Sequence, residues 1–198
     1  MLEQLDHYPR IIFDFDETLF WLHLPWVKEY CEPVFIEMCR RDPSLAAVKY
    51  TRFSELENEA VKRLGPDFYE WDRNFGRQFE KTHLHGVQEF YETTDWIRAN
   101  HANHTLYLWT SNALATVTPV LSKAGLLSHF DTLITAETVE FLKPDPEGFF
   151  HIFDPATQDR GEYVMVGDSV SDEKAAAAAG IAFERYVGPS KVITQDAG

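Results

Sequence analysis

The sequence predicts an α/β fold: a Rossmann-like parallel sheet with helices on both faces and an inserted helical region. Two observations predict it. Short apolar runs alternate with helical segments from residue 86 onward, a pattern typical of parallel strands joined by helical crossovers. A further apolar run, residues 11–13, lies near the amino terminus and is followed by a long stretch with helical patterning only. We therefore expect the first strand to belong to the sheet and the helical region to be an insertion after it.

The insertion is predicted to consist of three helices. Apolar residues recur at three- and four-residue spacing between residues 27 and 38 and again between 45 and 64. Pro25, residues 42–44 and residues 65–67 mark the breaks between these segments. An aromatic-rich helix begins at Pro66 and reaches about His83. This pattern predicts a core domain of residues 1–22 and 84–198 and a helical cap domain of residues 23–83.

The core is predicted to continue with alternating helices and strands. We expect helices at 87–99, 114–124, 147–153 and 171–179, and strands at 105–109, 132–135, 163–166 and 181–187. Gly125 and Gly180 follow the second and fourth of these helices, as glycine commonly does at a helix end. Residues 187–198 are polar and predict a loose tail.

Composition restricts the class of protein. The chain has 198 residues, of which 44% are hydrophobic and 25% charged, as in ordinary globular proteins. A formal charge of −14 argues against nucleic acids and anionic membranes as partners, because both select basic surfaces. No apolar run approaches the ~18–20 residues that a membrane span needs. Cys31 and Cys39 are too far apart for a disulfide if their segment is helical. We expect a soluble, reduced, cytoplasmic protein.

Polar residues collect where the predicted strands end. Asp14 and Asp16 follow the first strand, and like charges this close favour a positive group beside them, for which a hard divalent cation is the natural candidate. Because ligands bind at the carboxyl ends of parallel strands, residues at several strand ends are expected to meet on one rim. These residues are Asp14, Asp16, Ser111, Asn112, Lys143 and Asp168. Together they predict a metal-assisted phosphoryl-transfer site.

The order of these motifs resembles the haloacid dehalogenase superfamily, on its phosphatase branch with a helical (C1-type) cap, similar to phosphoglycolate phosphatases. Four elements match in order: Asp14-x-Asp16-x-Thr18, Ser111-Asn112, Lys143-Pro144-Asp145-Pro146, and Gly167-Asp168-x-x-x-Asp172. Each motif is weak alone, but all four in sequence at predicted strand ends form a specific signal. The position of the insertion, between the first and second motifs, is that of the same cap subclass.

The resemblance implies roles for the acidic residues. Asp14 is expected to be the nucleophile that becomes an aspartyl phosphate, and Asp16 the general acid and base. Mg²⁺ is the expected cofactor, held by Asp14, by Asp16 through its backbone carbonyl, and by Asp168. The dehalogenase branch lacks an acid at the position of Asp16, so this residue favours phosphate over halide chemistry. Asp172 is expected to hold a metal-bound water or to position Lys143, and a helix N-terminal acid is the alternative.

The remaining site residues are expected to bind the phosphoryl group. Lys143 supplies a fixed positive charge to it and to the nucleophile. Ser111 donates a hydrogen bond to a phosphoryl oxygen, with Thr110 as the neighbouring alternative, and Asn112 completes the substrate-binding loop. Thr18 is expected to orient the first loop through its hydroxyl.

The sequence thus predicts a Mg²⁺-dependent hydrolase of a small phosphomonoester. A phosphotransferase or phosphomutase of the same superfamily, or a non-catalytic binding module, are the alternatives. Phosphoglycolate, sugar phosphates and nucleoside monophosphates all remain open as substrates. Eight cations of the cap are candidates for binding a second anionic group, although most are expected on solvated helix faces: Lys28, Lys49, Arg52, Lys62, Arg63, Arg73, Arg77 and Lys81. The oligomeric state is left undetermined.

Overall fold

A five-stranded parallel sheet lies at the centre of the computed structural model, which describes residues 2–189. In chain order the strands are β1 Arg10–Phe13, β2 Phe20–Leu22, β3 Val87–Glu89, β4 Thr105–Trp109, β5 Thr132–Ile134, β6 Tyr163–Gly167 and β7 Ala182–Arg185. The sheet has the order β5-β4-β1-β6-β7, and β2 and β3 form a separate antiparallel pair. The predicted α/β fold with a parallel sheet is therefore confirmed.

Within residues 2–189, seven α-helices connect or flank these strands. They are α1 Glu32–Arg41, α2 Phe53–Leu64, α3 Pro66–His83, α4 Tyr91–Asn100, α5 Leu114–Lys123, α6 Glu147–Phe150 and α7 Val170–Ala179. A π-helical segment, Val27–Cys31, leads directly into α1, and short 3₁₀ helices occur at Leu2–His7, Pro43–Ala47, Leu127–His129 and Arg160–Glu162. No helix within residues 2–189 is both long enough and apolar enough to cross a bilayer.

The central strand β1 is buried because both of its faces are covered. Ile11 and Phe13 pack into one apolar cluster and Ile12 into another, since successive side chains of a strand point to opposite faces. All three side chains are fully buried. With β4 and β6 as its hydrogen-bonded neighbours, β1 delivers the residues that follow it to the middle of the sheet edge.

Helices α1, α2 and α3 share a third apolar cluster of their own. Val34 and Met38 of α1 pack there with Leu56 of α2 and Phe68 of α3, and all four are fully buried. The chain enters this helical layer after β2, which ends at Leu22, and α3 ends at His83. The ends of β2 and α3 support the predicted domain division. The core of residues 1–22 and 84–198 and the cap of residues 23–83 nevertheless stay a prediction.

The structure corrects several expected boundaries. The helix expected at 87–99 is wrong at its start, because Val87–Glu89 pairs with Phe20–Leu22 as a strand and α4 begins only at Tyr91. Three-residue strands are too short to show a period of their own in the sequence. The helix expected from residue 147 ends at Phe150, and the apolar repeat from residue 45 to 64 is interrupted before α2. Most of the expected tail, residues 190–198, lies outside the described residues.

Cys31 and Cys39 are both free thiols, as expected from their spacing. Each is partly buried.

Candidate active site

All six residues predicted for the site line one cavity at the carboxyl ends of β1, β4 and β6. The cavity has a volume of about 310 Å³ and is closed on its other side by side chains of the π-helical segment, α2 and α3. The six residues are Asp14, Asp16, Ser111, Asn112, Lys143 and Asp168. The parallel order of the strands explains this convergence, since their carboxyl ends share one edge of the sheet.

Asp14 directly follows β1 and is fixed by three contacts. Its backbone N–H donates to the carbonyl of Val166 at 2.9 Å, which continues the pairing with β6. Lys143 Nζ donates to Asp14 Oδ1 at 2.6 Å, and Thr18 Oγ1 donates to Oδ2 at 3.2 Å. Burial raises the pKa of the Asp14 carboxyl to about 8, and the neighbouring Lys143 ammonium opposes this rise. Thr18 therefore orients the nucleophile candidate itself, through its hydroxyl.

Lys143 uses all three of its ammonium protons within the site. Besides the bond to Asp14, Nζ donates to Asp172 Oδ1 at 2.6 Å and to the carbonyl of Trp109 at 2.8 Å. Burial lowers the pKa of Lys143, but Asp14 and Asp172 more than offset this effect and raise it above its usual value. The side chain is thus a buried, fixed positive charge beside Asp14.

Asp172 both positions Lys143 and acts as an acid at the N-terminus of α7, two roles between which the sequence did not decide. Its Oδ1 accepts the bond from Lys143, so it positions that ammonium. Its Oδ2 accepts from the backbone N–H of Ser169 at 2.9 Å and from the hydroxyl at 2.6 Å, and Ser169 in turn caps the start of α7. Both carboxylate oxygens are therefore engaged by protein donors.

Asp16 lies directly before a sharp turn and faces different partners. Extended structure ends at Phe13, and Glu17 has a φ of +60°, a left-handed conformation that is uncommon for this residue type. Asp16 Oδ1 accepts from the N–H of Leu22 at 2.8 Å, and Oδ2 accepts from Trp26 Nε1 at 3.3 Å. Burial raises the pKa of Asp16 to about 7 despite these bonds. A carboxyl group with a pKa near neutrality can both give up and take back a proton.

Three carboxylates could hold a metal ion. Oxygens of Asp14, Asp168 and Asp172 lie within 4.8 Å of one another, and such hard oxygen ligands suit Mg²⁺. The carboxylate of Asp16 is not part of this group, and a contribution of its backbone carbonyl to a metal site stays a prediction. Both oxygens of Asp172 accept hydrogen bonds, and so do both oxygens of Asp14, so hydrogen bonding does not rank these carboxylates as ligands.

The loop after β4 holds Ser111 and Asn112 differently. Asn112 is buried, and its backbone N–H donates to Thr110 Oγ1 at 3.1 Å. Thr110 Oγ1 in turn donates to Asn112 Oδ1 at 2.8 Å. Thr110 is therefore committed to shaping the loop. Ser111 is exposed and lines the cavity, so it is the better hydrogen-bond donor to a bound ligand.

Several acidic residues of α2 and α3 line the cavity and were not predicted. Glu80 accepts from the N–H of Ala113 at 3.1 Å, one residue before α5, and from Asn112 Nδ2 at 3.2 Å. Burial raises its pKa to about 7. Glu57 and Asp72 are also buried and line the cavity. The sequence contains a weak indication that Asp72 is buried. Asp72 follows Phe68 by four residues and therefore lies on the apolar face of α3.

Arg73 is the one cap cation that is fully enclosed among those considered for binding an anion. Its guanidinium pairs with Asp72 and donates to the carbonyls of Ala136 at 2.8 Å and Glu140 at 3.1 Å. These contacts tie α3 to the segment between β5 and Lys143. Three of the five N–H donors of Arg73 are thus engaged within the protein, and the residue lines the cavity, so it stays a candidate for binding a second anionic group.

A family model described as haloacid dehalogenase-like hydrolase matches residues 11–185. This match covers most of the chain, so the protein belongs to that family. The resemblance noted from the four motifs is confirmed, and so is the expected hydrolase class.

Individual proteins are also similar to this chain in sequence or in fold. The chain is 28% identical over 181 residues to the pyrophosphatase PpaX of Bacillus velezensis, which covers 86% of this chain and 79% of that protein. It is 36% identical over 72 residues to a phosphoglycolate phosphatase of Cupriavidus necator, covering 36% of this chain and only 31% of that protein. A haloacid dehalogenase-like hydrolase structure from Bacteroides fragilis superposes with a TM-score of 0.60 at 22% identity, covering 89% of this chain and 86% of that one.

Proposed function

We propose that this protein is a Mg²⁺-dependent phosphatase that hydrolyses a small phosphomonoester through an aspartyl-phosphate intermediate. The observation that carries the proposal is the contact of Lys143 Nζ with Asp14 Oδ1 at 2.6 Å in a buried cavity. A fixed ammonium beside a carboxylate nucleophile can neutralise both the nucleophile and the incoming phosphoryl group. Relatives named as phosphatase and pyrophosphatase agree with phosphorus chemistry.

In the first half of the reaction, a carboxylate oxygen of Asp14 attacks phosphorus and the ester P–O bond breaks. Asp16 protonates the leaving alcohol oxygen, for which its raised pKa and its position on the cavity wall are suitable. In the second half, Asp16 takes a proton from water, and the resulting hydroxide attacks the aspartyl phosphate. Inorganic phosphate leaves and Asp14 is restored.

Other residues hold the phosphoryl group in place. Ser111 donates its hydroxyl proton to a phosphoryl oxygen, and Asn112 keeps the loop in the required shape through its bonds to Thr110. Asp14, Asp168 and the backbone carbonyl of Asp16 would hold Mg²⁺, which supplies positive charge to the phosphoryl oxygens. Asp172 keeps Lys143 in position from the opposite side.

The surroundings of the site favour a small-molecule substrate. Residues of the helical layer enclose a cavity of about 310 Å³, which suits a small organic phosphate better than a folded phosphoprotein or a nucleic acid. The charge of −14 also disfavours nucleic acids. We place the protein in the cytoplasm, where the two free thiols would stay reduced.

The test is a panel of phosphomonoesters and inorganic pyrophosphate, assayed for phosphate release with Mg²⁺ and with a chelator. Wild type is compared with Asp14→Asn and with Asp95→Asn, a change on the exposed side of α4. We expect the wild type to release phosphate from at least one monoester and to lose this activity when the chelator is added. The rate of phosphate release should fall at least about a thousandfold in Asp14→Asn and stay unchanged in Asp95→Asn. Normal turnover in Asp14→Asn would refute the mechanism, and preferential cleavage of pyrophosphate would refute the monoester assignment. Isomerised sugar phosphate in place of free phosphate would show a mutase.

The role of Asp16 is tested separately. General acid–base catalysis typically contributes ~10²–10⁴-fold, so Asp16→Asn is expected to lose a rate factor of that order. The loss should be larger for poor leaving groups than for activated ones, since only the former need a proton. Near-normal rates with both kinds of substrate would contradict the assignment.

A further inference from the structure

The carboxyl group of Asp16 is held by two donors from different parts of the fold. The backbone N–H of Leu22, the last residue of β2, donates to Oδ1 at 2.8 Å. The indole Nε1 of Trp26, which follows β2 in the chain, donates to Oδ2 at 3.3 Å. The terminal bond of an aspartate side chain has only a broad rotational preference of its own. The second donor therefore decides how the carboxyl group is turned.

The two hydrogen bonds of Asp16 differ in length and in the kind of donor. The bond to Oδ1 is short, and its donor belongs to the backbone of a paired strand. The bond from Trp26 is longer than most N–H···O bonds in proteins. Both Asp16 and Trp26 line the cavity. Oδ2 is therefore the oxygen that can exchange its protein donor for a group of a bound ligand at the lower cost.

The indole of Trp26 is itself held by aromatic contacts within the helical layer. Its ring centroid lies 5.0 Å from that of Phe79 in α3 and 5.6 Å from that of Tyr30, which it meets edge-on. Phe79 and Tyr30 are both buried. The π-helical segment Val27–Cys31 begins directly after Trp26, and such segments are frequent at functional sites. A ring packed against two buried neighbours cannot swing away freely, so its N–H stays directed at Asp16.

We propose that Trp26 is a positioning residue for the general acid, and that its indole N–H keeps the carboxyl group of Asp16 in one orientation at the cavity wall. The inference rests on the proposed phosphatase function and adds a residue of the helical layer to it. Leu22 anchors Oδ1, and Oδ2 leaves the indole when the ester oxygen of a substrate comes within hydrogen-bond distance.

The loss of the indole N–H should affect proton transfer alone. Without it the carboxyl group of Asp16 can turn about its terminal bond, so that the proton is correctly placed for the leaving oxygen less often. Within residues 2–189, Trp26 makes no hydrogen bond to Asp14 or Lys143, so the nucleophile and its ammonium partner keep their geometry. A substrate whose leaving group needs no proton should therefore react almost normally.

The test is Trp26→Phe, which removes the indole N–H and keeps an aromatic ring against Phe79 and Tyr30. The value of kcat/KM is measured with p-nitrophenyl phosphate, whose leaving group needs no proton, and with phenyl phosphate and ethyl phosphate, whose leaving groups need one. We expect kcat/KM to fall about 10- to 100-fold for the last two and less than about threefold for the first. Trp71→Phe is the matched control, because Trp71 stacks on Phe75 in the same layer and lies outside the cavity. It should leave all three values unchanged.

A double-mutant comparison tests whether Trp26 acts through Asp16. In Asp16→Asn the general acid is absent, so adding Trp26→Phe should cause no further loss of phenyl phosphate hydrolysis. If the second change lowers the rate by the same factor as it does in the wild type, Trp26 acts independently of Asp16 and the proposal is wrong.

The outcomes distinguish this inference from the proposed function. If the wild type releases phosphate from none of these three substrates and from no monoester of the panel, the phosphatase function fails. If the wild type is active and Trp26→Phe lowers kcat/KM equally for all three substrates, or for none, only the present inference fails. Should Trp26→Phe not fold, benzothienylalanine is placed at position 26, since it keeps the size of the indole and replaces the N–H by sulfur. The same selective loss is expected there, and wild-type kinetics would contradict the proposal.

Discussion

Asn58 and Leu142 are 84 residues apart in the sequence and form a reciprocal pair of hydrogen bonds. Asn58 Nδ2 donates to the carbonyl of Leu142 at 2.7 Å, and the N–H of Leu142 donates to Asn58 Oδ1 at 2.8 Å. Both residues are buried. Because Leu142 directly precedes Lys143, helix α2 fixes the backbone of the loop that carries the ammonium of the site.

Replacing Asn58 by alanine is expected to weaken both stability and turnover. The change leaves the buried N–H and carbonyl of Leu142 without partners, and each such group costs ~1–3 kcal/mol. We expect the free energy of unfolding to fall by about 2–4 kcal/mol in urea titrations and kcat to fall more than KM rises. Asn74→Ala, on the exposed side of α3, is the control. A variant with normal stability and kcat would show that the pair does not position the loop.

Asp172→Asn tests whether this residue acts on Lys143 or on the metal. Asparagine can still accept the bond from the backbone N–H of Ser169, which caps α7, but it removes one of the two carboxylates that hold Lys143 Nζ. We expect kcat to fall by about 10- to 100-fold, as is usual for groups that orient a site residue. The Mg²⁺ concentration for half-maximal activity should stay nearly constant. A large rise in that concentration at nearly unchanged kcat would instead identify Asp172 as a ligand. Glu173→Gln, on the exposed face of α7, is the control.

The sequence predicted the parts of this protein that are encoded locally. The apolar run of β1 followed by Asp14 and Asp16 identifies a strand and a site within a few residues, and the same is true of β6 and Asp168. Their convergence then follows from the rule that parallel strands present their carboxyl ends together. The order of the four motifs indicated the haloacid dehalogenase superfamily.

The sequence could not predict contacts between distant segments. Nothing near Asn58 indicates that its amide pairs with the backbone before Lys143. Glu57 appears in sequence as one more acid on an amphipathic helix, and only the approach of Tyr30 and Asp72 shows that it is buried. The β2–β3 pair was not predicted for a different reason. Each strand has only three residues, which is too short to show the alternation of apolar and polar side chains that indicates a strand.

Gly148→Ala is expected to disturb the packing next to Lys143. A Cβ at Gly148 would lie 2.2 Å from Nε1 and 2.4 Å from Cε2 of Trp109, far inside van der Waals contact. Trp109 is 1% exposed and cannot move freely, and its carbonyl accepts a bond from Lys143. Overpacking of this kind costs ~1–3 kcal/mol, which thermal unfolding would detect. Gly76→Ala is the control.

The control substitution is informative because its surroundings differ. A Cβ at Gly76, inside α3, would meet Tyr30 at 3.6 Å, an ordinary contact distance. Alanine is also favoured over glycine in a helix by about 1 kcal/mol. Gly76→Ala should therefore keep or raise the melting temperature. Equal melting temperatures for Gly148→Ala and wild type would show that Trp109 can move away.

Glu80→Gln is expected to make stability less dependent on pH. Glu80 is 2% exposed, and burial raises the pKa of its carboxyl from 4.5 to about 7. Between these two values the folded protein keeps a proton that the unfolded chain has released. The stabilisation is therefore complete below pH 4.5 and is lost as pH rises through 7. Glutamine has no proton to lose, yet it can still accept the bond from the N–H of Ala113.

The measurement is the free energy of unfolding in urea at pH 5 and pH 8, with a chelator present so that metal binding does not contribute. Wild type should lose stability over this interval, and Glu80→Gln should lose roughly 2–3 kcal/mol less, from a pKa difference worth about 1.4 kcal/mol per unit. A residual loss is expected in the variant, because burial also raises the pKa of Glu57 to about 8. Glu70→Gln, an exposed change on the same helix, should follow wild type. An equally steep loss in Glu80→Gln would mean that Glu80 is already ionised at pH 5 in the folded protein.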